Sequence, residues 1–186
     1  MSIQPSLVGA ACNDALAKQA EALDAVRAAR AELANLKKER AAIAGGSQSQ
    51  LSERALAAET ALTGVFDSAS NATLRSADRQ MARTETFLAD RSGRYLYERG
   101  TESALRPYFS EDVISSATGY AFNGGNAVHL FPGRFDVDTL VHEPPHLFGA
   151  NASMSEYCGS DALWLARQSG GTARALNNAD SYLTCP

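Results

Sequence analysis

The sequence predicts a mainly helical α+β domain, and three observations carry that expectation. From Asn13 to Ala44 there is neither glycine nor proline, and the strong helix formers Ala, Glu, Lys, Arg and Leu dominate. Two more helix-like stretches follow, about Ser52–Phe66 and Asn71–Leu88. After Pro107 the character changes to glycine-rich turns and a short β-like run. A length of 186 residues suits one domain spanning residues 1–186, and it is long enough to bury a core without staples.

In the first stretch Val26, Ala29, Leu33, Leu36 and Ile43 recur at three, four and seven spacings, with polar Arg40 on the same stripe. That is an amphipathic face. Asn13 or Asp14 is its candidate cap, and Gly45-Gly46-Ser47 ends it. A helix over residues 13–44 either packs on its own domain or projects as a coiled-coil arm toward a partner. Ser52 caps the second helix, whose apolar residues are Leu56, Leu62, Val65 and Phe66. Joined through Gly45–Gln50, the two make an antiparallel hairpin. Leu74, Met81 and Leu88 repeat at heptad spacing in the third. Tyr95-Leu96-Tyr97 is too short to type. Gly119-Tyr120-Ala121-Phe122 leads into the turn Asn123-Gly124-Gly125-Asn126, and Ala127–Phe131 reads as a strand stopped by Pro132-Gly133. Asp161–Gln168 and Ala173–Ala179 read as helix, broken at Gly170-Gly171.

Seventeen basic against twenty-one acidic residues give a formal charge of −4, which argues against nucleic acid and anionic membranes as partners. No apolar run approaches the ~18 residues of a membrane span. The first residues lack the basic flank of a standard signal peptide. Cys12, Cys158 and Cys185 are too few for a disulfide scaffold. Cys158 and Cys185 are the pair nearest in sequence; free thiols in a reducing compartment are the alternative.

Chemistry concentrates at His142-Glu143-Pro144-Pro145-His146. On a helix, His-Glu-x-x-His puts two imidazoles one turn apart on one face, where both reach a single zinc ion. The glutamate between them can take a proton from the attacking water and pass it to the leaving amine. The alternative is a pair of unrelated polar residues in a proline-rich turn. His129, on the short strand before Pro132, reads as structural.

Around this motif the sequence resembles a family. Asn126-Ala127-Val128-His129-Leu130-Phe131-Pro132, Phe135 and Thr139-Leu140-Val141-His142-Glu143-x-x-His146 look like the deuterolysin and peptidyl-Lys metalloendopeptidases, the aspzincins. Tyr157, Ala162-Leu163-Trp164-Leu165-Ala166 and Ala175-Leu176-Asn177-Asn178-Ala179-Asp180-Ser181-Tyr182 resemble the family's C-terminal segment, so the likeness spans residues 126–182. It implies a zincin-like fold with zinc bound by His142 and His146 and Glu143 as general base. It implies Tyr157 as the donor that stabilises the oxyanion. It also implies Asp180 as a carboxylate that receives a substrate lysine by charge pairing.

Two positions depart from the family pattern. Met154 stands where the aspartate ligand falls, and a thioether is a poor zinc ligand. Glu156 and Asp161 are the nearest carboxylates; Glu156 is closer and has the longer reach, so it is the expected third ligand. Cys158, beside Tyr157, reads as a small buried thiol. Pro144 and Pro145 each remove a helix hydrogen bond and disfavour helical angles in the preceding residue. Either the helix starts late, with Pro144 in its first turn, or its packing holds the prolines inside it. If they distort it, replacing both should raise zinc affinity and peptidase rate together.

The expected function is zinc-dependent hydrolysis of internal peptide bonds by a metal-activated water, on a protein or peptide substrate. The first rival is a degenerate zincin-like protein that binds a partner without cleaving it; the second is an interaction module acting through the first helix. By analogy with lone metallopeptidase domains that lack a signal peptide, the chain is expected to be an effector or toxin exported by a dedicated secretion route, with a delivery or immunity protein as partner.

Overall fold

The computed structural model describes residues 2–3, 10–150 and 167–182. The chain is α+β and mainly helical, with one four-stranded sheet. It divides into two compact units, Met1–Asp24 with Arg83–Gly149, and Ala25–Ala82 with Ala150–Pro186. No described helix is long and apolar enough to cross a membrane.

The first long helix, α1 (Ala10–Ala44), begins before Asn13 and Asp14, which lie inside it rather than capping it. Its buried residues Ala15, Gln19, Ala22, Val26, Ala29, Leu33 and Leu36 alternate four and three apart, a coiled-coil seam closed within the chain itself. Helix α2 (Glu53–Phe66) starts where Ser52 accepts the Ala55 amide at 3.2 Å. Helix α3 (Asn71–Ala89) buries Leu74, Met81 and Leu88, the heptad positions. Leu56, by contrast, is exposed and contributes nothing to the core.

In the second unit α2 packs on α7 (Gly171–Leu176), and Phe66 meets Tyr182 of a 3-10 turn (Ala179–Tyr182) at 5.8 Å between ring centroids. Arg40, the polar residue on the apolar stripe, reaches the Ala69 carbonyl and the Glu59 carboxylate. Glu39 holds the α1–α2 turn. It accepts from the Ser52 amide and hydroxyl, each at 2.7 Å, from Asn35 at 2.9 Å and from Gln48 at 3.2 Å. Those bonds, led by the Ser52 amide, lower its carboxyl from 4.5 to about 2. A depressed carboxylate contributes stability above its unfolded value and loses it as pH falls through the folded one. Wild type should therefore lose thermal midpoint between pH 4.5 and 2 more steeply than Glu39→Gln, which has no proton to gain. Parallel melting curves for the two proteins across that window would remove Glu39 from the account.

The first unit carries the sheet. Strands β1 (Ser2–Ile3), β2 (Leu96–Arg99), β3 (Gly119–Ala121) and β4 (Ala127–Leu130) lie in the order β1-β2-β4-β3. The first three in that order run parallel, and β3 returns antiparallel to β4 through the glycine turn. Alternation puts Tyr97, Val128, Leu130, Gly119 and Ala121 on one face. Helix α6 (Val137–Leu147) packs on β3 and β4 there. Tyr97, Val128 and Leu130 are fully buried. Phe87, at the end of α3, packs edge-on to Tyr97 at 5.5 Å. The opposite face carries Glu98, His129 and Tyr120. Near it, α4 (Glu102–Leu105) and α5 (Glu111–Ser116) form a small core in which Leu105, Ile114 and Phe131 pack against Tyr120.

Candidate metal centre

The helix that carries the motif is fixed at both ends by local chemistry. At its start Asp136 accepts the Thr139 amide at 2.8 Å, and the Thr139 hydroxyl answers the Asp136 amide at 3.2 Å, a capping box. Burial pushes the Asp136 carboxyl up, but the Thr139 amide and hydroxyl bonds outweigh it and hold the group below the usual aspartate value. The Thr139 hydroxyl also lies 3.0 Å from that of Thr118, which ties α6 to the start of β3. Lys18, paired with Asp14, donates to the Phe135 carbonyl just upstream at 3.0 Å. At the far end the Gly124 amide caps the Leu147 carbonyl at 3.1 Å, and Gly149 leaves the helix at φ 97°.

Between these anchors the helix is continuous through both prolines, which are buried. It starts at Val137, so the late start at Pro144 is not the solution adopted. The packed alternative is, and the carbonyls of Leu140 and Val141 receive no bond from residues 144 and 145.

His142 and His146 face each other one turn apart. Their Nε2 atoms are 3.3 Å apart, with ring centroids at 5.1 Å and planes at 66°. Two Zn–N bonds of ~2.0–2.1 Å at a tetrahedral angle set their nitrogens about 3.3–3.4 Å apart. The separation is within reach of a hydrogen bond between the two rings, and it is also the bite that one zinc ion would need. His146 lies in the last turn of α6, where the helix dipole favours a cation. Both imidazoles therefore suit a zinc ion as they stand. Replacing Pro144 by Leu and Pro145 by Ala should leave zinc affinity unchanged, because the rings already converge with both prolines in place. A large gain in affinity, read by competition with a chromogenic chelator, would show instead that the prolines hold the rings apart.

Glu143, between the histidines, is buried at 6% exposure. Its Cγ comes within 3.3 Å of where a Cβ on Gly119 would stand, so its side chain lies along β3. That strand is an edge. The Phe131 amide bonds to the Thr118 carbonyl, and Tyr120 sits opposite His129. The antiparallel alternation then turns the amides and carbonyls of Gly119 and Ala121 away from β4. Among the described residues no strand lies beyond them.

His129 lies apart from His142 and His146. It points to the other face of the sheet, stacked on Tyr120 at 4.5 Å and 13°, with Nδ1 3.5 Å from Glu98. Burial lowers its imidazole below the usual value, against the pull of Glu98. Met154, Glu156, Tyr157, Cys158, Asp161 and Cys185 lie outside the described residues. The backbone of Asp180 falls in the 3-10 turn of the second unit; its side chain is outside the described set. Among the described residues no group of three or more His, Cys, Asp or Glu converges as a metal site. Comparison with protein-family models, curated proteins and solved structures returned no match.

The sequence reading missed Thr139 and Gly119 as site-forming residues. The first carried a signal, since Asp136 and Thr139 have capping-box spacing. The second carried none, because only the approach of α6 to β3 demands a glycine there.

Proposed function

We propose that the chain is a zinc-dependent metalloendopeptidase with a zincin-like fold, akin to the deuterolysin and peptidyl-Lys metalloendopeptidase family. The observation that carries this reading is the 3.3 Å convergence of the His142 and His146 nitrogens on one helix, with Glu143 between them. In this reading His142 and His146 hold the ion, joined by Glu156. Zinc there would supply Lewis acidity, polarising the scissile carbonyl and bringing a water's pKa down to ~7.

The rest falls to the chain. Glu143 takes the proton of the attacking water and returns it to the leaving amine. The outward amides and carbonyls of β3 receive the substrate as an added antiparallel strand, beside the helix that holds the base. Tyr157 donates to the developing oxyanion, and Asp180 pairs with a substrate cation.

The test uses the purified full chain. It should carry about one zinc per chain and cut a mixture of casein-derived peptides, with a chelator stopping cleavage and added zinc restoring it. A protein that stays metal-free in excess zinc would sink the reading. Bound zinc without cleavage would favour the rival that Met154 supports, a degenerate zincin-like protein that binds a protein partner without cleaving it.

A further inference from the structure

Beyond β3 the chain leaves a group of large apolar side chains in solvent. Tyr108 is 69% exposed, Phe109 52%, Val113 49% and Phe122 46%. The aromatic ones form a connected surface: Tyr108 meets Phe109 at 6.5 Å and Phe122 at 6.4 Å, and Phe122 meets Tyr120 at 5.4 Å. Exposed aromatics in contact with one another are unusual on a surface that binds nothing. Tyr120 lies within β3 and Phe122 immediately follows it; both point away from α6, on the face opposite Gly119 and Ala121. The patch is therefore continuous with the edge of β3, beyond which no strand lies among the described residues, and it is on the side of the sheet away from His142 and His146.

An extended peptide added to that edge shows alternate side chains to the two faces. One set turns toward α6, Glu143 and the histidines. The other set turns toward Tyr120, Phe122 and Tyr108. We infer that Phe122 and Tyr108, backed by the half-buried ring of Tyr120, form a specificity surface for the bound peptide. It selects a large apolar side chain, aromatic above all, at positions alternate to those facing the histidines. The inference rests on the peptide-binding role of β3 given above, and it adds the class of sequence that β3 accepts. Polar residues facing the patch would leave the aromatic surface wet, whereas aromatic residues would cover it in offset or edge-to-face contact.

Binding and cleavage are measured separately, so that the two readings can fail separately. The full-length Glu143→Gln protein with zinc is titrated, by fluorescence anisotropy, into two labelled peptides, one with alternating Ser and Phe and one with alternating Ser and Ala. The Phe peptide should bind at least ~10-fold tighter, as expected for apolar side chains leaving water, and Phe122→Ser or Tyr108→Ser should erase the difference. Both substitutions are at exposed positions; melting curves identify a variant that fails to fold, and the other then serves. Equal binding of the two peptides, no binding of either, or a preference that survives both substitutions would overturn the inference. So would a wild-type dimer that Phe122→Ser converts to monomer, because the patch would then cover a second copy. A preference lost in the variants, with no cleavage by the zinc-loaded wild type, would uphold the surface and sink the peptidase.

Discussion

Glu143→Gln should keep its zinc and lose peptide cleavage by about 10²–10⁴-fold, the usual worth of a positioned general base, whereas His142→Ala and His146→Ala should lose metal and cleavage together. Each imidazole supplies one of the two nitrogens that stand 3.3 Å apart, and removal of either leaves no pair to span the ion. Glutamine is nearly isosteric with Glu143, which is buried along β3, and it replaces the carboxylate with an amide that cannot act as a general base. Elemental analysis and a rate on a casein-derived peptide separate the three variants, and circular dichroism checks that each is folded. A Glu143→Gln protein cutting at near the wild-type rate would take the base role away from Glu143.

Gly119→Ala should both destabilise the protein and slow it. An added Cβ would stand 2.9 Å from Thr139 Cγ2, 3.0 Å from the His129 carbonyl oxygen and 3.3 Å from Glu143 Cγ. None of the three yields easily. The His129 oxygen belongs to the paired strand, Thr139 is held by the capping box, and Glu143 is buried. Overpacking of this kind costs about 1–3 kcal/mol, which lowers the melting temperature by roughly 2–4 °C per kcal/mol in a chain of this size. In the proposed peptidase the strain falls on Glu143, so kcat/KM should drop by more than the stability loss explains while zinc content holds. An alanine variant with the wild-type melting curve and rate would mean that α6 can move off the sheet at no cost.

The helices were legible because their signals are local. The α1 stripe, the Ser52 cap and the heptad Leu74, Met81 and Leu88 each follow from spacing along one element. Leu56 misled because an apolar residue in a helix declares nothing about which side faces water. The sheet was only half legible. The strand expected over Ala127–Phe131 showed itself between turn signals and ends at Leu130, while Leu96–Arg99 did not, since Tyr95-Leu96-Tyr97 is too short a run to type. At the site, the motif named His142, Glu143 and His146. Whether two prolines would spoil their alignment depends on packing and on anchors at Asp136 and Gly124, far from the prolines in sequence or on other elements.

Neither compact unit is a continuous piece of chain, and this sets an order of events during synthesis. Residues 25–82 of the second unit form helices joined by short turns, so their contacts are local and quick to make. The first unit cannot close in the same way. Strand β1 pairs with β2 and waits for residues 96–97, a delay of roughly 5–20 s at ordinary rates of translation. The motif helix comes later still, on a sheet whose first strand left the ribosome long before. Until then the edge of β1 that will pair with β2 has no partner, and wrong pairing can begin there.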